Sequence, residues 1–249
     1  MRLRAVFGLI VVLAIGAEPA MAAGLDGWAA VVVAGDNESA HVDTPTLAFD
    51  NARRDIGLAL EAEGLPASRL AEFSVDPSHF TDPKPGRSNL VAIGATMGRL
   101  AAAAPAGCLF YLTSHGSPDG VVIGDRLIAP KALAQAFNAA CAGKPAIVVI
   151  SACFSGVFVP ALRAPDRLVI TAARRDRSSF GCGESDRYPY FDGCVLQSLP
   201  RAADFVALAN RARACVARRE RQEHMVPASE PQIALGPRFV SPRLRPYAR

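Results

Sequence analysis

Two residues that could carry out covalent chemistry each follow an apolar stretch of the chain. His115 comes just after the run Cys108–Thr113, and Cys153 comes just after the run Ala146–Ile150. A cysteine thiolate is a strong nucleophile, and histidine can transfer protons near neutral pH. If the two side chains meet, the cysteine can attack a carbonyl carbon while the histidine protonates the group that leaves.

The elements that must position these residues are predicted from apolar runs that alternate with amphipathic segments. We expect a helix that is capped by Thr44, has Pro45 at its first position and ends at Gly64, and further helices that begin after Ser88, at Pro130 and near Phe205. The predicted strands are Trp28–Ala34, Arg69–Val75, Cys108–Thr113, Ala146–Ile150, Arg167–Ala172 and Gln232–Leu235. This alternation is typical of an α/β protein, here a three-layer α/β/α sandwich with a mostly parallel sheet covered on both faces.

The expected sheet brings the two residues to one edge. Ligands of parallel sheets bind beyond the carboxyl ends of the strands. Because a single helix separates the strands that precede His115 and Cys153, we expect these strands to be neighbours, about 5 Å apart. The amides of Gly116 and Cys153 could then stabilise a developing oxyanion.

The sequence leaves the state of Cys153 open. It could be a nucleophile, a buried thiol at a strand end or half of a disulfide, and His115 could simply bond within its own turn. The chain has no C-x-x-C motif, so a zinc site or a thioredoxin-type pair is not indicated. The candidate bridges among the six cysteines are Cys108 with Cys141 and Cys182 with Cys194, which would leave Cys153 and Cys215.

The N-terminus has the pattern of an export signal. Residues 1–22 combine a basic start, the apolar stretch Ala5–Ala17 and small residues around a cleavage site near Ala22. The apolar stretch is shorter than the about 20 residues that a membrane span needs, although an uncleaved anchor is the alternative. We expect an exported protein, periplasmic or secreted, with one domain over residues 25–240 and a basic tail over residues 241–249.

The charge balance indicates few macromolecular partners. The formal net charge of +4 is too small to suggest nucleic-acid binding. Residues 200–249 hold ten Arg against four Asp and Glu. A solvated helix face explains such an excess, and contact with an anionic envelope surface is the alternative. The oligomeric state is not indicated.

Four ordered blocks of the chain resemble those of one peptidase family. The blocks are WAAVVVAGDN at residues 28–37, CLFYLTSHG at 108–116, SACFSG at 151–156 and TAARRDRSSFGC at 171–182. Together they are similar to the legumain-like cysteine peptidases, family C13, which belong to clan CD and have the caspase-haemoglobinase fold.

The resemblance implies a peptidase that acts on polypeptides through a thioester and needs no cofactor or metal. It implies that Cys153 is the nucleophile, that His115 is the acid and base, and that Gly116 supplies an oxyanion amide. The residues that it implies for substrate binding are Ser178, Ser179 and Asp192. Whether the thioester passes to water, as in an endopeptidase, or to an amine, as in a transpeptidase, stays open.

Other interpretations of the same residues differ in class. An exported binding or assembly module could keep the fold with Cys153 in a disulfide. An α/β-hydrolase would need G-x-C-x-G and a later histidine, whereas here Ser151 and Ser155 flank the cysteine and only His224 follows. A cysteine phosphatase would need Cys-x5-Arg to grip phosphate, and Val159 occupies the arginine position.

Overall fold

A seven-stranded sheet forms the centre of the computed structural model, which describes residues 24–40, 44–81 and 84–245. In chain order the strands are β1 (Trp28–Ala34), β2 (Leu70–Ser74), β3 (Gly86–Arg87), β4 (Gly107–Thr113), β5 (Gly116–Ser117), β6 (Gly120–Ile123), β7 (Arg126–Ile128), β8 (Ala146–Ser151), β9 (Arg167–Thr171) and β10 (Gln232–Leu235). The large sheet has the order β10-β9-β8-β4-β1-β2-β3, and β5, β6 and β7 form a small antiparallel sheet. Within the large sheet only the β9–β10 pair is antiparallel.

Helices cover both faces of this sheet. They are α1 (Ala48–Ala62), α2 (Leu90–Ala102), α3 (Pro130–Ala140), α4 (Val159–Leu162), α5 (Tyr190–Ser198) and α6 (Phe205–Gln222). One buried cluster joins α1, α5 and α6 to one face, and a second joins α2, α3 and α4 to the other. Successive residues of β1 alternate between the two clusters and are all buried, because strand side chains point to opposite faces in turn. The prediction of a three-layer α/β/α sandwich with a mostly parallel sheet is confirmed.

The strand order creates a switch point between β1 and β4. From β1 the chain moves outward to β2 and β3, and then returns to the other side of β1 to add β4, β8 and β9. At such a point the loops after two adjacent strands diverge and leave a crevice. The segments that follow β1, β4 and β8 carry Glu38, His115 and Cys153 respectively, so the candidate residues lie at this crevice.

Several element boundaries differ from those expected. The first helix begins at Ala48 instead of Pro45, because Pro45 forms a bridge with Glu38 and the amide of Ala48 donates to the Thr46 hydroxyl. The second helix is capped by Asn89, whose side chain accepts from two amides. Helix α5 was not expected, since its nine residues show little helical periodicity.

Residues 241–245, expected to be part of a basic tail, pack against the domain. Leu244 is 4% exposed, and its amide donates to the carbonyl of Ala203 at 2.9 Å. The expected signal at residues 1–22 lies outside the described residues. Among the residues that the structure describes, none of the helices combines the length and apolar character that crossing a membrane requires.

Two disulfides link buried parts of the fold. Cys108 at the start of β4 is bonded to Cys141 at the end of α3, as expected. The other bridge joins Cys194 to Cys215, so the expected pairing of Cys182 with Cys194 is wrong. Cys194 lies on the face of α5 that packs against α6, where Cys215 is located. Cys153 and Cys182 are free thiols.

We expect the double variant C194A/C215A to unfold more easily than the wild type. The bridge closes a sequence separation of 21 residues, and losing such a constraint on the unfolded chain lowers the free energy of unfolding by about 3 kcal/mol. Denaturant titration under non-reducing conditions measures the difference, with Cys182→Ala as the variant that removes a thiol but no bridge. An unchanged unfolding midpoint for C194A/C215A would show that the bridge does not form.

Candidate active site

The carboxyl ends of β4 and β8 lie side by side. In the parallel ladder Thr113 is paired with Ser151, and the Ser114 amide continues the ladder by donating to the Ser151 carbonyl at 3.0 Å. His115 and Cys153 each lie two residues beyond this last pair. The structure therefore brings the two candidate residues to the same edge of neighbouring strands, as the sequence predicts.

The backbone at Gly116 touches the backbone at Cys153. A Cβ atom at position 116 would lie 2.3 Å from the Cys153 carbonyl oxygen and 3.0 Å from the Ala152 side chain. Such a separation is far below van der Waals contact, so only glycine allows this approach. The expected oxyanion residue thus lies directly against the candidate nucleophile.

His115 is held by contacts that its sequence motif does not reveal. The imidazole Nε2 lies 3.0 Å from the backbone carbonyl of Glu38, and the ring packs edge-on against Phe49 with centroids 5.0 Å apart. Because a carbonyl can only accept, Nε2 carries the proton in this bond. Nδ1 is then the ring atom left for proton transfer.

The Glu38 carbonyl is itself held in place. The side chain of Asp36, which is 7% exposed, accepts from the amides of Asn37 and Glu38 at 2.8 and 3.1 Å. This Asx turn fixes the first residues after β1. Glu38 could not be singled out from the sequence, since any residue type supplies a backbone carbonyl. Asp36 acts on His115 only through that carbonyl, so its role could not be predicted either.

The turn that carries Cys153 is tied to the loop after β9. Phe154 adopts a left-handed conformation with φ 56°, which is unusual for a bulky residue. Its amide donates to the Arg177 carbonyl at 2.8 Å, and the amide of Ala173 donates to the Ser155 hydroxyl at 3.1 Å. These bonds hold Cys153 against residues 177–180.

Ser179 is the neighbour of the Cys153 sulfur in that loop. Its amide donates to Sγ at 3.3 Å, and its carbonyl and hydroxyl oxygens lie 3.5 and 3.6 Å from Sγ. Ser178 is exposed beside it, and Cys153 is half-buried. Two of the three expected substrate-binding residues therefore lie beside the candidate nucleophile.

Asp192, the third expected substrate-binding residue, lies elsewhere. It is completely buried beneath the sheet edge, where its carboxylate accepts from the hydroxyls of Tyr111 at 2.5 Å and Thr113 at 2.6 Å. Burial raises the pKa of this carboxyl to about 6, against the lowering effect of the hydroxyls of Thr113, Tyr111 and Ser151. In the structure this carboxylate has no exposed surface, whereas the resemblance implied a substrate-binding residue.

The loops after β1 and β9 meet on one side of the site. The Ala40 amide donates to the Cys182 carbonyl at 3.0 Å, and the Thr46 hydroxyl donates to the Gly183 carbonyl at 3.1 Å. Burial raises the pKa of the Cys182 thiol to about 12, and the neighbouring Cys153 and Asp186 add to the effect. The thiolate form of Cys182 is thus disfavoured.

Comparison with known proteins gives a family match and a fold match. Residues 89–204 match the model of the Peptidase C13 family. The structure is similar to that of caspase-1 from Spodoptera frugiperda, with a TM-score of 0.60 and 17% identity over 86% of this chain and 88% of that chain. A structure of pro-sf-caspase-1 is similar at a TM-score of 0.57 and 16% identity, over 86% of this chain and 92% of that one. A search of curated protein sequences found no match.

The fold is thus a caspase-like α/β architecture, and part of the chain matches the model of a peptidase family. The segment 89–204, which matches the model of the Peptidase C13 family, contains His115, Gly116 and Cys153. The resemblance to the C13 family found in the sequence blocks is confirmed.

We expect Gly116→Ala to lower kcat/KM by about 100-fold, because the methyl group must displace the Cys153 carbonyl and shift the site by a large fraction of an ångström. Gly94→Ala is the matched control: in the middle of α2 its Cβ meets only Ala136, at 3.9 Å. This control should keep full activity and gain up to about 1 kcal/mol of stability. Steady-state kinetics on a cleaved peptide make the comparison, and equal activity of the two variants would contradict the proposed crowding.

Proposed function

We propose that the protein cleaves peptide bonds through a dyad of Cys153 and His115. The observation that carries this proposal is the contact at the edge of β4 and β8, where Gly116 touches the Cys153 backbone and His115 is anchored to the Glu38 carbonyl. A free, half-buried thiol, a fixed imidazole and a glycine backbone then face one crevice. The C13 match is to a family of peptidases, which supports a polypeptide as substrate.

The chemistry follows from these groups. Nδ1 of His115 takes the proton of the Cys153 thiol, and the sulfur forms a bond to the carbonyl carbon of the substrate while the electrons of the C=O π bond move to the oxygen, which becomes negatively charged. The amides of Gly116 and Cys153 are the candidate donors to that oxygen. The C–N bond breaks as Nδ1 of His115 gives a proton to the leaving amine, and a thioester remains.

The thioester can then pass to either of two acceptors. Water attacks it with His115 taking the proton, and this step releases the acid and restores the thiol. An amine in place of water forms a new peptide bond, which is transpeptidation. Ser178 and Ser179 flank the sulfur and are the proposed substrate contacts, while Asp192 has no role at the surface.

The rival functions find less support. A binding module with a disulfide at Cys153 is disfavoured because this cysteine is free. The α/β-hydrolase interpretation is disfavoured by the fold, since the structure has a caspase-like sheet order and the histidine precedes the cysteine in the chain.

We expect Cys153→Ala and His115→Ala each to reduce cleavage of a peptide library by about 1,000-fold or more, because one removes the nucleophile and the other the proton carrier. Cys182→Ala is the control for loss of a free thiol, and His79→Ala removes an exposed histidine whose contact is with Asp76. Both controls should cleave the same sites as the wild type. Equal cleavage by all five proteins would exclude the dyad, and analysis of the products in the presence of an added amine separates hydrolysis from transpeptidation.

We further propose that the protein is exported. The N-terminal pattern at residues 1–22 motivates this proposal, and the bridges Cys108–Cys141 and Cys194–Cys215 support it, because disulfides persist in oxidising compartments. The periplasm or the exterior of the cell is the proposed location.

An anionic envelope surface is the proposed non-substrate partner. Arg211, Arg218 and Arg221 are exposed at spacings of seven and three along α6, which places them on one helix face. None of the three forms an ion pair with another residue that the structure describes. Each such arginine adds about 1 kcal/mol of attraction to an anionic membrane.

Cell fractionation tests both proposals in one experiment. We expect the complete chain to be found outside the cytoplasm, partly bound to membranes, and to be released by high salt. Deletion of residues 1–22 should keep it in the cytoplasm, and R211Q/R218Q/R221Q should be exported but recovered in the unbound fraction. Cytoplasmic recovery of the complete chain would contradict export, and unchanged membrane binding of the triple variant would contradict the surface contact.

A further inference from the structure

Asp192 occupies an unusual place for a charged residue. It lies in the first turn of α5 and is completely buried where that helix packs on the sheet. Its neighbours along the helix, Phe191, Cys194 and Val195, belong to the apolar core on this face. Burial of a carboxyl costs several kcal/mol unless hydrogen bonds offset it, so an apolar residue would fit the surroundings better.

The hydrogen bonds of Asp192 come from β4, the strand that leads to His115. Oδ1 accepts from the Tyr111 hydroxyl at 2.5 Å, and Oδ2 accepts from the Thr113 hydroxyl at 2.6 Å. Both donors are on β4, two residues apart, and therefore on the same face of the strand. Thr113 is in turn paired with Ser151, at the end of β8. The carboxylate thus bonds the end of β4 at the point where β4 lies beside the end of β8.

Thr113, which donates to Asp192, is the last residue of β4. Thr113 and Ser151 form the final pair of the β4–β8 ladder, and each is followed by a single residue before His115 or Cys153. Beyond this pair the strands diverge into separate turns, and the ladder no longer fixes their distance. A side chain that bonds the last residue of β4 fixes where the turn that carries His115 begins.

Burial supplies a reason for the carboxylate to keep these bonds. No water competes for its oxygens at this depth, so each hydroxyl bond is stronger than on the surface. The pKa of the carboxyl is raised to about 6 by burial, and both the charged and the neutral carboxyl can accept from the two hydroxyls.

We propose that Asp192 is a positioning residue that holds the carboxyl end of β4 in place beside β8 and thereby sets the placement of His115 relative to Cys153. The inference rests on the proposed function in its assignment of the dyad. It replaces the surface role for Asp192 that the sequence suggested with one exerted from inside the fold.

The test compares two substitutions, each of which removes one of the hydroxyl groups that donate to the Asp192 carboxylate. Thr113→Val removes the bond at the strand end, and Tyr111→Phe removes the bond two residues earlier. Both variants leave Asp192 with one fewer donor, so their losses of stability should be similar. We expect Thr113→Val to lower kcat at least tenfold with KM changed less than twofold, whereas Tyr111→Phe should keep kcat within threefold of the wild type.

A second pair of variants examines the carboxyl itself. Asp192→Asn has the same shape and keeps one oxygen acceptor, so it should retain more of kcat than Asp192→Ala at equal folded fraction, as judged by circular dichroism. If Asp192→Ala does not fold, Thr113→Val and Asp192→Asn still decide the question. The proposal is overturned if Thr113→Val leaves kcat unchanged, or if Thr113→Val and Tyr111→Phe lower kcat equally.

Alkylation of Cys153 provides a readout that does not depend on cleavage. In a Cys182→Ala background, the rate of reaction with iodoacetamide reports the thiolate that His115 helps to form. His115→Ala calibrates the assay. Thr113→Val should slow alkylation by a factor near that of His115→Ala, and Tyr111→Phe should not slow it.

The two proposals fail in different ways. If no peptide is cleaved by the wild type but Thr113→Val still slows alkylation, the proposed function is wrong and the positioning role stands. If cleavage depends on Cys153 and His115 while neither kcat nor alkylation responds to Thr113→Val, the dyad stands and the positioning role is wrong.

Discussion

The pairing of Thr113 with Ser151 at the end of the β4–β8 ladder is the constraint on which the site depends. Two parallel strands held by a regular set of backbone hydrogen bonds cannot slide, because a shift of one residue would turn every buried side chain to the wrong face. Both strands are fully buried on both faces, so the penalty for such a slip is large. The register therefore determines that His115 and Cys153 leave the sheet at the same level.

Beyond the ladder, backbone groups do most of the positioning. The Glu38 carbonyl orients His115, the Arg177 carbonyl holds the turn after Cys153, and the Ser179 amide bonds the sulfur. Backbone groups are rigid once their loops are fixed, so they lose little conformational entropy when a substrate binds. The crevice is in this sense organised in advance, with the side chains of Asp36, Ser155 and Asp192 supporting it from behind.

The sequence was informative where a pattern has a single physical cause. The strands Trp28–Ala34 and Gln232–Leu235 were predicted to the residue, because a short apolar run between turn signals is typical of a strand. The neighbouring position of β4 and β8 followed from the single helix between them. The candidate nucleophile and acid-base residue followed from that placement, together with the resemblance of the blocks around them.

What could not be predicted depends on contacts between elements that are distant in sequence. Cys194 pairs with Cys215 because α5 packs against α6, and α5 itself has no periodicity to reveal it. Asp192 has the same neighbours in the sequence whether its side chain lines a pocket or lies under the sheet. Its burial follows from the direction in which the first turn of α5 faces, and only tertiary structure determines that direction.

The four bridged cysteines and the two free ones differ in access to solvent. Each bridged residue is at most 8% exposed, whereas Cys153 and Cys182 are partly open at the crevice. Thiol–disulfide exchange requires a thiolate to reach a disulfide sulfur in line, so a small reductant reduces a disulfide formed at Cys153 or Cys182 much faster than it reduces the buried bridges. A mild reducing buffer therefore keeps Cys153 as a thiol and leaves intact the bridges that hold the helices and strands around it.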